Sequence, residues 1–261
     1  MDSPVIALLT DFGTKDHYVG AMKGVLLSVN RRVQIVDITH EVHPQDVTTA
    51  YFLLQNCYRS FPLGTIFVAV VDPGVGSPRA ILCVETAQYL FLAPDNGILS
   101  FLEREDRITR MFRVTNRDLM LKSISATFHG RDVMAPVAAH LSLGLDLAKL
   151  GPPAASMVRL NERPVVNAEG RVLGQVVSVD RFGNLVTDIR ADRLDGASEV
   201  RVGRTRIAGV SRTYADAKKG QTLAYVGSSG TLEIAVAHGN ASKKLKIAKG
   251  ETVQVIAKST S

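Results

Sequence analysis

Short apolar runs alternate with stretches of helical spacing through the first half of the chain. The run ValIleAlaLeuLeuThr (5–10) reads as a strand ending at Asp11. From Asp16 to Asn30 the apolar positions Val19, Met22, Leu26 and Val29 follow helical spacing, with Asp16 placed to cap the helix. Residues 33–38 read as a second strand, 45–59 as a helix and 65–71 as a buried strand ending at Asp72. Apolar runs follow at 80–84 and 89–92, a turn at 95–97, and a helix over 132–143 with Val133, Val137 and Leu141 on one face. Strand and helix in alternation imply right-handed crossovers and a largely parallel sheet.

The pattern changes after Leu150. GlyProProAlaAla (151–155) and the polar stretch up to Arg171 read as a linker. Beyond it, short strand-like runs at 172–179, 199–202, 205–210, 222–226, 231–236 and 252–257 are separated by turn residues at 195–196, 219–220 and 228–230. That spacing predicts a small antiparallel barrel or sandwich. The expected architecture is an α/β N-terminal domain with a mostly parallel sheet (1–152), a linker (153–170) and a smaller all-β C-terminal barrel domain (171–261).

Composition changes this picture little. With 46% hydrophobic and 21% charged residues the chain reads as an ordinary soluble protein able to bury a sizeable core. The net charge of +6 raises nucleic-acid binding, but the basic residues are interspersed with 25 acidic ones. The denser basic groups (Arg201, Arg204, Arg206; Lys243, Lys244, Lys246) lack the aromatics used for base stacking. They read as a solvated basic surface, and no nucleic acid is expected as a partner. Two cysteines, Cys57 and Cys83, lie among apolar neighbours and read as buried reduced thiols rather than a disulfide framework. No signal segment is recognisable at the N-terminus, and no apolar run approaches the roughly 20 residues of a membrane span. A cytoplasmic protein without a membrane partner is expected.

The chemistry-bearing residues cluster at strand ends and turns. In an open α/β sheet the crevice outside the carboxyl ends of the strands receives ligands, and both Asp11 and Asp72 are placed there. A carboxylate placed there can fork onto a sugar diol or orient a catalytic group. Within the segment 72–79, Pro73 and Gly74 turn the chain, Gly76 permits close backbone approach, and Arg79 opens the next strand. The same residues also suit a plain loop with Asp72 capping its turn. His129, in ThrPheHisGlyArgAsp (127–132), lies at a loop-to-helix junction. A lone histidine is commonly structural, but convergence with Asp72 and Arg79 would make a water-activating device. AspArgPheGlyAsn (180–184) reads as a hairpin turn with Gly183 and Asn184 at positive φ, and its Phe182 is available to stack on a base. ValGlySerSerGly (226–230) offers hydroxyls and backbone N–H groups. No phosphate-binding glycine loop, dinucleotide fingerprint, HisGluXaaXaaHis or CysXaaXaaCys occurs, which disfavours phosphate-handling and metal-dependent chemistry.

Together these segments resemble the S-adenosyl-L-methionine (SAM) hydroxide adenosyltransferases, relatives of the SAM-dependent fluorinases and chlorinases. The resemblance rests on ThrAspPheGlyThrLysAsp (10–16), AspProGlyValGly through Arg79 (72–79), AlaProAspAsnGly (93–97), PheHisGlyArgAsp (128–132), AspArgPheGlyAsn (180–184) and SerSerGlyThrLeuGluIleAla (228–235). It implies a homotrimer, with each active site formed between the N-terminal domain of one subunit and the C-terminal domain of its neighbour. It assigns water activation to Asp72, Arg79 and His129, ribose binding to Asp11, and the adenine and methionine contacts to Asp180, Phe182, Asn184 and Ser228. The halogenating relatives carry Tyr-Ser in place of His129-Gly130 and Tyr in place of Asp72. An anionic Asp72 repels halide, which favours the water-using branch. Ser229 departs from relatives that carry Arg or an aromatic there.

The implied reaction is hydrolysis of SAM to adenosine and L-methionine, with no metal and no cofactor beyond the substrate. The alternative is a SAM or adenosine sensor with little turnover.

Overall fold

The structure is a computed structural model that describes residues 3–160, 165–166 and 171–257. It divides into two compact units, Met1–Leu160 and Asn161–Ser261.

In the first unit, β1 (Val5–Thr10), β2 (Gln34–Thr39), β3 (Ile66–Val70), β4 (Ile81–Thr86), β5 (Leu90–Pro94) and β6 (Ile108–Arg113) form one sheet in the order β2-β1-β3-β5-β4-β6. The β2–β1, β1–β3 and β3–β5 pairings are parallel, whereas β4 runs antiparallel to both β5 and β6. The sheet is therefore mixed, and the expectation of a mostly parallel sheet holds only for its β2-β1-β3-β5 part. The physical reason is connection length. A parallel crossover needs a dozen or more residues, and the few residues between Thr86 and Leu90 permit only a hairpin. There Thr86 Oγ1 accepts from the N–H of Tyr89 at 3.1 Å.

Helices cover both faces of the sheet: α1 (Tyr18–Val29), α2 (Val47–Cys57), the single turn α3 (Leu102–Glu105) and α4 (Ala135–Ser142). The alternation along β1 shows why. Ile6 and Leu8 point to one side, where Met22 and Leu26 of α1 and Val137 and Leu141 of α4 are buried with them. Ala7 and Leu9 point to the other, against Ala50, Tyr51 and Leu54 of α2. A strand covered on both faces needs apolar residues at every position, which is what the runs of β1 and β3 provide. Each fully buried Leu or Ile there contributes about 1.5–3 kcal/mol of burial free energy.

Local caps differ from the sequence reading in one place. Asp46 caps α2 by accepting from the Thr49 N–H at 3.0 Å. Asp16, expected to cap α1, does not, because that helix begins after His17 without a side-chain cap. The expected helix 132–143 is α4 preceded by a widened turn, Gly130–Met134, in which the Ala135 N–H reaches back to the Gly130 carbonyl.

The second unit is an antiparallel sheet. Its strands are β7 (Val165–Val166), β8 (Val172–Val179), β9 (Leu185–Arg190), β10 (Ala197–Val202), β11 (Thr205–Ala208), β12 (Thr222–Val226), β13 (Thr231–Val236) and β14 (Thr252–Ala257). The order is β11-β10-β14-β8-β9-β13-β12, with β7 beside β8. Its two ends approach each other where the Ser211 N–H donates to the Ala224 carbonyl at 2.7 Å, so the sheet is a nearly closed barrel. The interior is filled by Val176, Leu185, Ile189, Val200, Leu232, Ile234 and Val253. The strands β6 and β9 have no counterpart in the sequence reading.

Of the expected linker 153–170, its start is tied to the first unit: the Val158 N–H donates to Asp95 Oδ1 at 2.7 Å and the Leu160 N–H to Ser100 Oγ at 3.3 Å. Residues 161–164 and 167–170 lie outside the described residues. No helix among the described residues is long and apolar enough to cross a membrane.

Candidate active site

The sheet order places two carboxylates side by side. β1 lies between β2 and β3, so the chain leaves it toward β2 on one face and returns to β3 over the other, opening a crevice at the strand ends. Thr10 pairs with Val70 across the β1–β3 ladder, Asp11 follows Thr10 directly, and Asp72 follows Val70 after one residue. Both line a cavity of about 590 Å³ together with Gln45, Tyr18, Phe128 and His129.

Asp72 is held by Arg79. The guanidinium Nε lies 2.8 Å from both carboxylate oxygens, and Nη2 also donates to Oδ2. Both side chains are largely shielded from solvent. The loop that brings Arg79 back over Asp72 depends on Gly76, whose φ is +79°. A Cβ on Gly76 would stand 2.6 Å from the Ala126 carbonyl oxygen, so the loop lies directly against the 125–127 segment that leads to His129.

His129 completes the string. Arg79 Nη2 lies 3.0 Å from His129 Nδ1. A guanidinium only donates, so Nδ1 accepts, and the proton of the neutral imidazole is carried on Nε2. Burial, and next the Arg79 charge, hold the histidine pKa below its ordinary value, against the opposing pull of Asp72 and Asp132. Near neutral pH the ring is therefore uncharged. The widened turn that begins at Gly130 carries it; a Cβ on Gly130 would come within 3.2 Å of Met22 and Val70, so glycine allows this turn to sit tightly on α1 and β3. Turns of this kind recur at functional sites.

Asp11 is anchored differently. Its Oδ2 accepts from the backbone N–H of Gln45 at 2.8 Å. Burial raises the Asp11 pKa, the Gln45 and own backbone N–H groups oppose this, and the Asp72 charge adds to the rise. Gln45 itself has φ +66°, a left-handed conformation uncommon outside glycine. Nothing in the sequence marks Gln45 as part of the site.

An aromatic wall was also missed. Phe12 and Tyr18 each pack edge to face on Phe128, with centroids 5.6 and 5.3 Å away, and the Arg131 guanidinium lies 4.7 Å from the Phe128 ring centroid. Arg131 is fixed by fully buried Asp132, through Nε–Oδ1 at 2.5 Å and Nη2–Oδ2 at 3.0 Å. Asp132 also accepts from the Ser125 N–H at 2.8 Å, which ties down the loop before His129.

Thus Asp11, Asp72, Arg79 and His129 meet in the first unit as the sequence suggested. Asp180, Phe182, Asn184 and Ser228 belong to the second unit. Asp180 and Asn184 close the 180–184 hairpin on each other: Oδ1 accepts from the Asn184 N–H and Oδ2 from Nδ2, both at 2.8 Å. Gly183 has φ +86°, but Asn184 does not have positive φ; its side chain is buried in the turn instead. Phe182 projects from the tip, 76% exposed. Ser228 lies in the turn between β12 and β13, closed by the Gly227 N–H on the Thr231 carbonyl. Among the described residues no group of three His, Cys, Asp or Glu side chains is placed to hold a metal ion. Cys57 and Cys83 are both free, Cys83 buried and Cys57 only partly so.

Residues 6–151 match the model of the SAM hydroxide adenosyltransferase N-terminal domain, and residues 174–254 that of the C-terminal domain. A protein of Thermus thermophilus named (R)-S-adenosyl-L-methionine hydrolase is 36% identical, over 96% of this chain and 99% of its own. A protein of Actinopolyspora mzabensis named fluorinase is 27% identical over 97% of both chains. The crystal structure of an uncharacterized conserved protein from Thermotoga maritima superimposes with a TM-score of 0.88 at 40% identity, covering 96% of this chain and 99% of that one.

Proposed function

Because the chain belongs to the SAM hydroxide adenosyltransferase family, we propose that it hydrolyses S-adenosyl-L-methionine to adenosine and L-methionine by attack of activated water or hydroxide at the ribose C5′. The Asp72–Arg79–His129 string beside Asp11 is the observation that carries this reading. Full-length similarity to a relative named as a SAM hydrolase supports it.

The chemistry follows from the substrate. C5′ is bonded to a sulfonium, so the leaving group departs as a neutral thioether that needs neither a proton nor a Lewis acid, and the reaction runs without metal or cofactor. The burden falls on the nucleophile, because neutral water is a poor one. Attack forms the C5′–O bond, breaks the C5′–S bond and releases one proton from the water. His129 is neutral and able to take that proton once the water displaces Arg79 from Nδ1. In a second arrangement a hydroxide enters between Arg79 and His129 and accepts from both, the imidazole then carrying its proton on Nδ1. In either case Asp72 offsets the Arg79 charge and fixes its fork.

Asp11 accepts from both ribose hydroxyls and sets C5′ in line with the nucleophile. Asp180, Phe182, Asn184 and Ser228 supply adenine and methionine contacts from a neighbouring subunit of a homotrimer, and light scattering of the purified protein tests that assembly. The enzyme works in the cytoplasm and takes no nucleic acid as partner. A sensor with little turnover would bind SAM and leave it unchanged.

The deciding experiment is incubation with SAM in ¹⁸O-labelled water and mass spectrometry of the nucleoside. Adenosine labelled at the 5′ oxygen over many turnovers is the expected result. Bound but intact SAM would overturn the assignment.

A further inference from the structure

A second cavity, of about 410 Å³, opens on the other side of the Arg79–His129 pair. His129 lines both cavities, whereas Asp72 lines only the first and Arg79 only the second. The string that holds the candidate site is thus a partition between two spaces.

The second space has a pronounced chemical bias. Its lining includes Arg79, Arg113 and Arg117 with Ser77 and Thr115, and it contains no Asp or Glu. The Arg79 charge is already offset by Asp72. The guanidinium groups of Arg113 and Arg117 form no ion pair or side-chain hydrogen bond among the described residues. Elsewhere in the first unit Arg110, Arg131 and Arg159 each hold a carboxylate. Both unpaired arginines come from the segment that leaves β6. Its path is fixed by the Arg113 N–H on the Pro152 carbonyl and the Thr115 N–H on the Leu150 carbonyl, each at 2.9 Å, so the two side chains are presented from one anchored strand end.

We propose that this cavity is a binding site for a small anion of the phosphate class, inorganic phosphate or a small phosphate monoester, held by Arg113 and Arg117. Planar guanidinium forks match the oxygens of such an anion two at a time, and a dianion balances two otherwise uncompensated charges. Apolar Ile81, Met120 and Ile124 complete the lining and leave room for the organic part of a monoester. An occupied site places negative charge on the far side of Arg79 and His129 from the substrate cavity, so the ligand and the reaction are linked through a shared wall.

The test is isothermal titration of the purified full chain with inorganic phosphate and, separately, with glycerol 3-phosphate, at constant ionic strength and without SAM. Sodium chloride serves as the matched control. Saturable binding with 1:1 stoichiometry per chain is expected for at least one of the two, weakened tenfold or more in Arg113→Gln and in Arg117→Gln. Circular dichroism and thermal melting of the variants check that they remain folded. Heats no different from chloride, or binding unchanged in the Arg113→Gln/Arg117→Gln double variant, would overturn the proposal. Preference between the two ligands tells which source of the phosphate group the cavity accepts. The readout needs no turnover, so it stands or falls separately from SAM hydrolysis.

Discussion

Arg79 joins Asp72 to His129: its Nε lies 2.8 Å from each oxygen of the carboxylate, and its Nη2 lies 3.0 Å from the imidazole Nδ1. One guanidinium thereby fixes the carboxylate, chooses the imidazole tautomer and forms the wall between two cavities. An ammonium cannot make this bridge, because it lacks the planar fork. Arg79→Lys is expected to lower kcat for SAM hydrolysis by about 10²-fold, within the usual range for disabling an acid–base device, with a much smaller change in KM. Steady-state kinetics of the variant check this, and a near-normal kcat would remove Arg79 from the mechanism.

The lowered pKa of His129 gives a pH prediction with a definite sign. Burial and the Arg79 charge disfavour the imidazolium, so the neutral ring persists below the ordinary histidine value of about 6.5. If His129 is the base, kcat falls on the acid side only below that value and is flat above it. If Arg79 and His129 instead hold hydroxide drawn from solvent, kcat keeps rising about tenfold per pH unit. The pH profile of kcat separates the two arrangements. The same shift affects stability: the folded state takes up the proton less readily than the unfolded chain, so this contribution is present above the unfolded pKa and is lost as pH falls through the folded one.

Asp11→Asn removes the charge that would accept from a ribose diol while retaining an acceptor for the Gln45 N–H. A hydrogen bond to a charged group contributes about 1.5–3 kcal/mol, so adenosine affinity is expected to fall roughly 10- to 150-fold. Calorimetric titration with adenosine measures it. Undiminished affinity would place the ribose elsewhere.

Gly76→Ala tests how the loop is built. The variant combines a left-handed φ of +79° with a Cβ 2.6 Å from the Ala126 carbonyl oxygen. The expected cost is about 1–3 kcal/mol, seen as a lower denaturation midpoint with kcat reduced because the Arg79 loop and the His129 segment are forced apart. Unchanged stability would mean that the two loops do not rest on one another.

The thiols give a check on packing that is independent of function. Burial pushes Cys57 up to about 11 and Cys83 up to about 12. Since the thiolate is the reactive form, neither should react appreciably with a disulfide reagent at pH 8 in the native protein, and both should react after denaturation. Rapid labelling of native Cys83 would contradict the buried β4.

What the sequence determined by itself is everything that repeats locally or is carried by residue type. The uninterrupted apolar runs of β1 and β3 announced strands covered on both faces, and the bounds of β8, β12, β13 and β14 coincide with the runs read from the chain. Asp11 and Asp72 stood out because each ends such a run, and six motifs in order carried the family. Other features were decided by tertiary structure. The short connection after Thr86 makes β4 and β5 antiparallel, but nothing local decides that β5 rather than β4 is the strand lying parallel beside β3. The pairing of Asp72 with Arg79 followed a visible loop, but the meeting of Arg79 with His129, 50 positions away, required the 125–127 segment to lie on Gly76. Gln45 and the two unpaired arginines of the second cavity carried no signal at all. A backbone N–H is the same in every residue, and a guanidinium becomes a binding group only when the fold withholds its carboxylate.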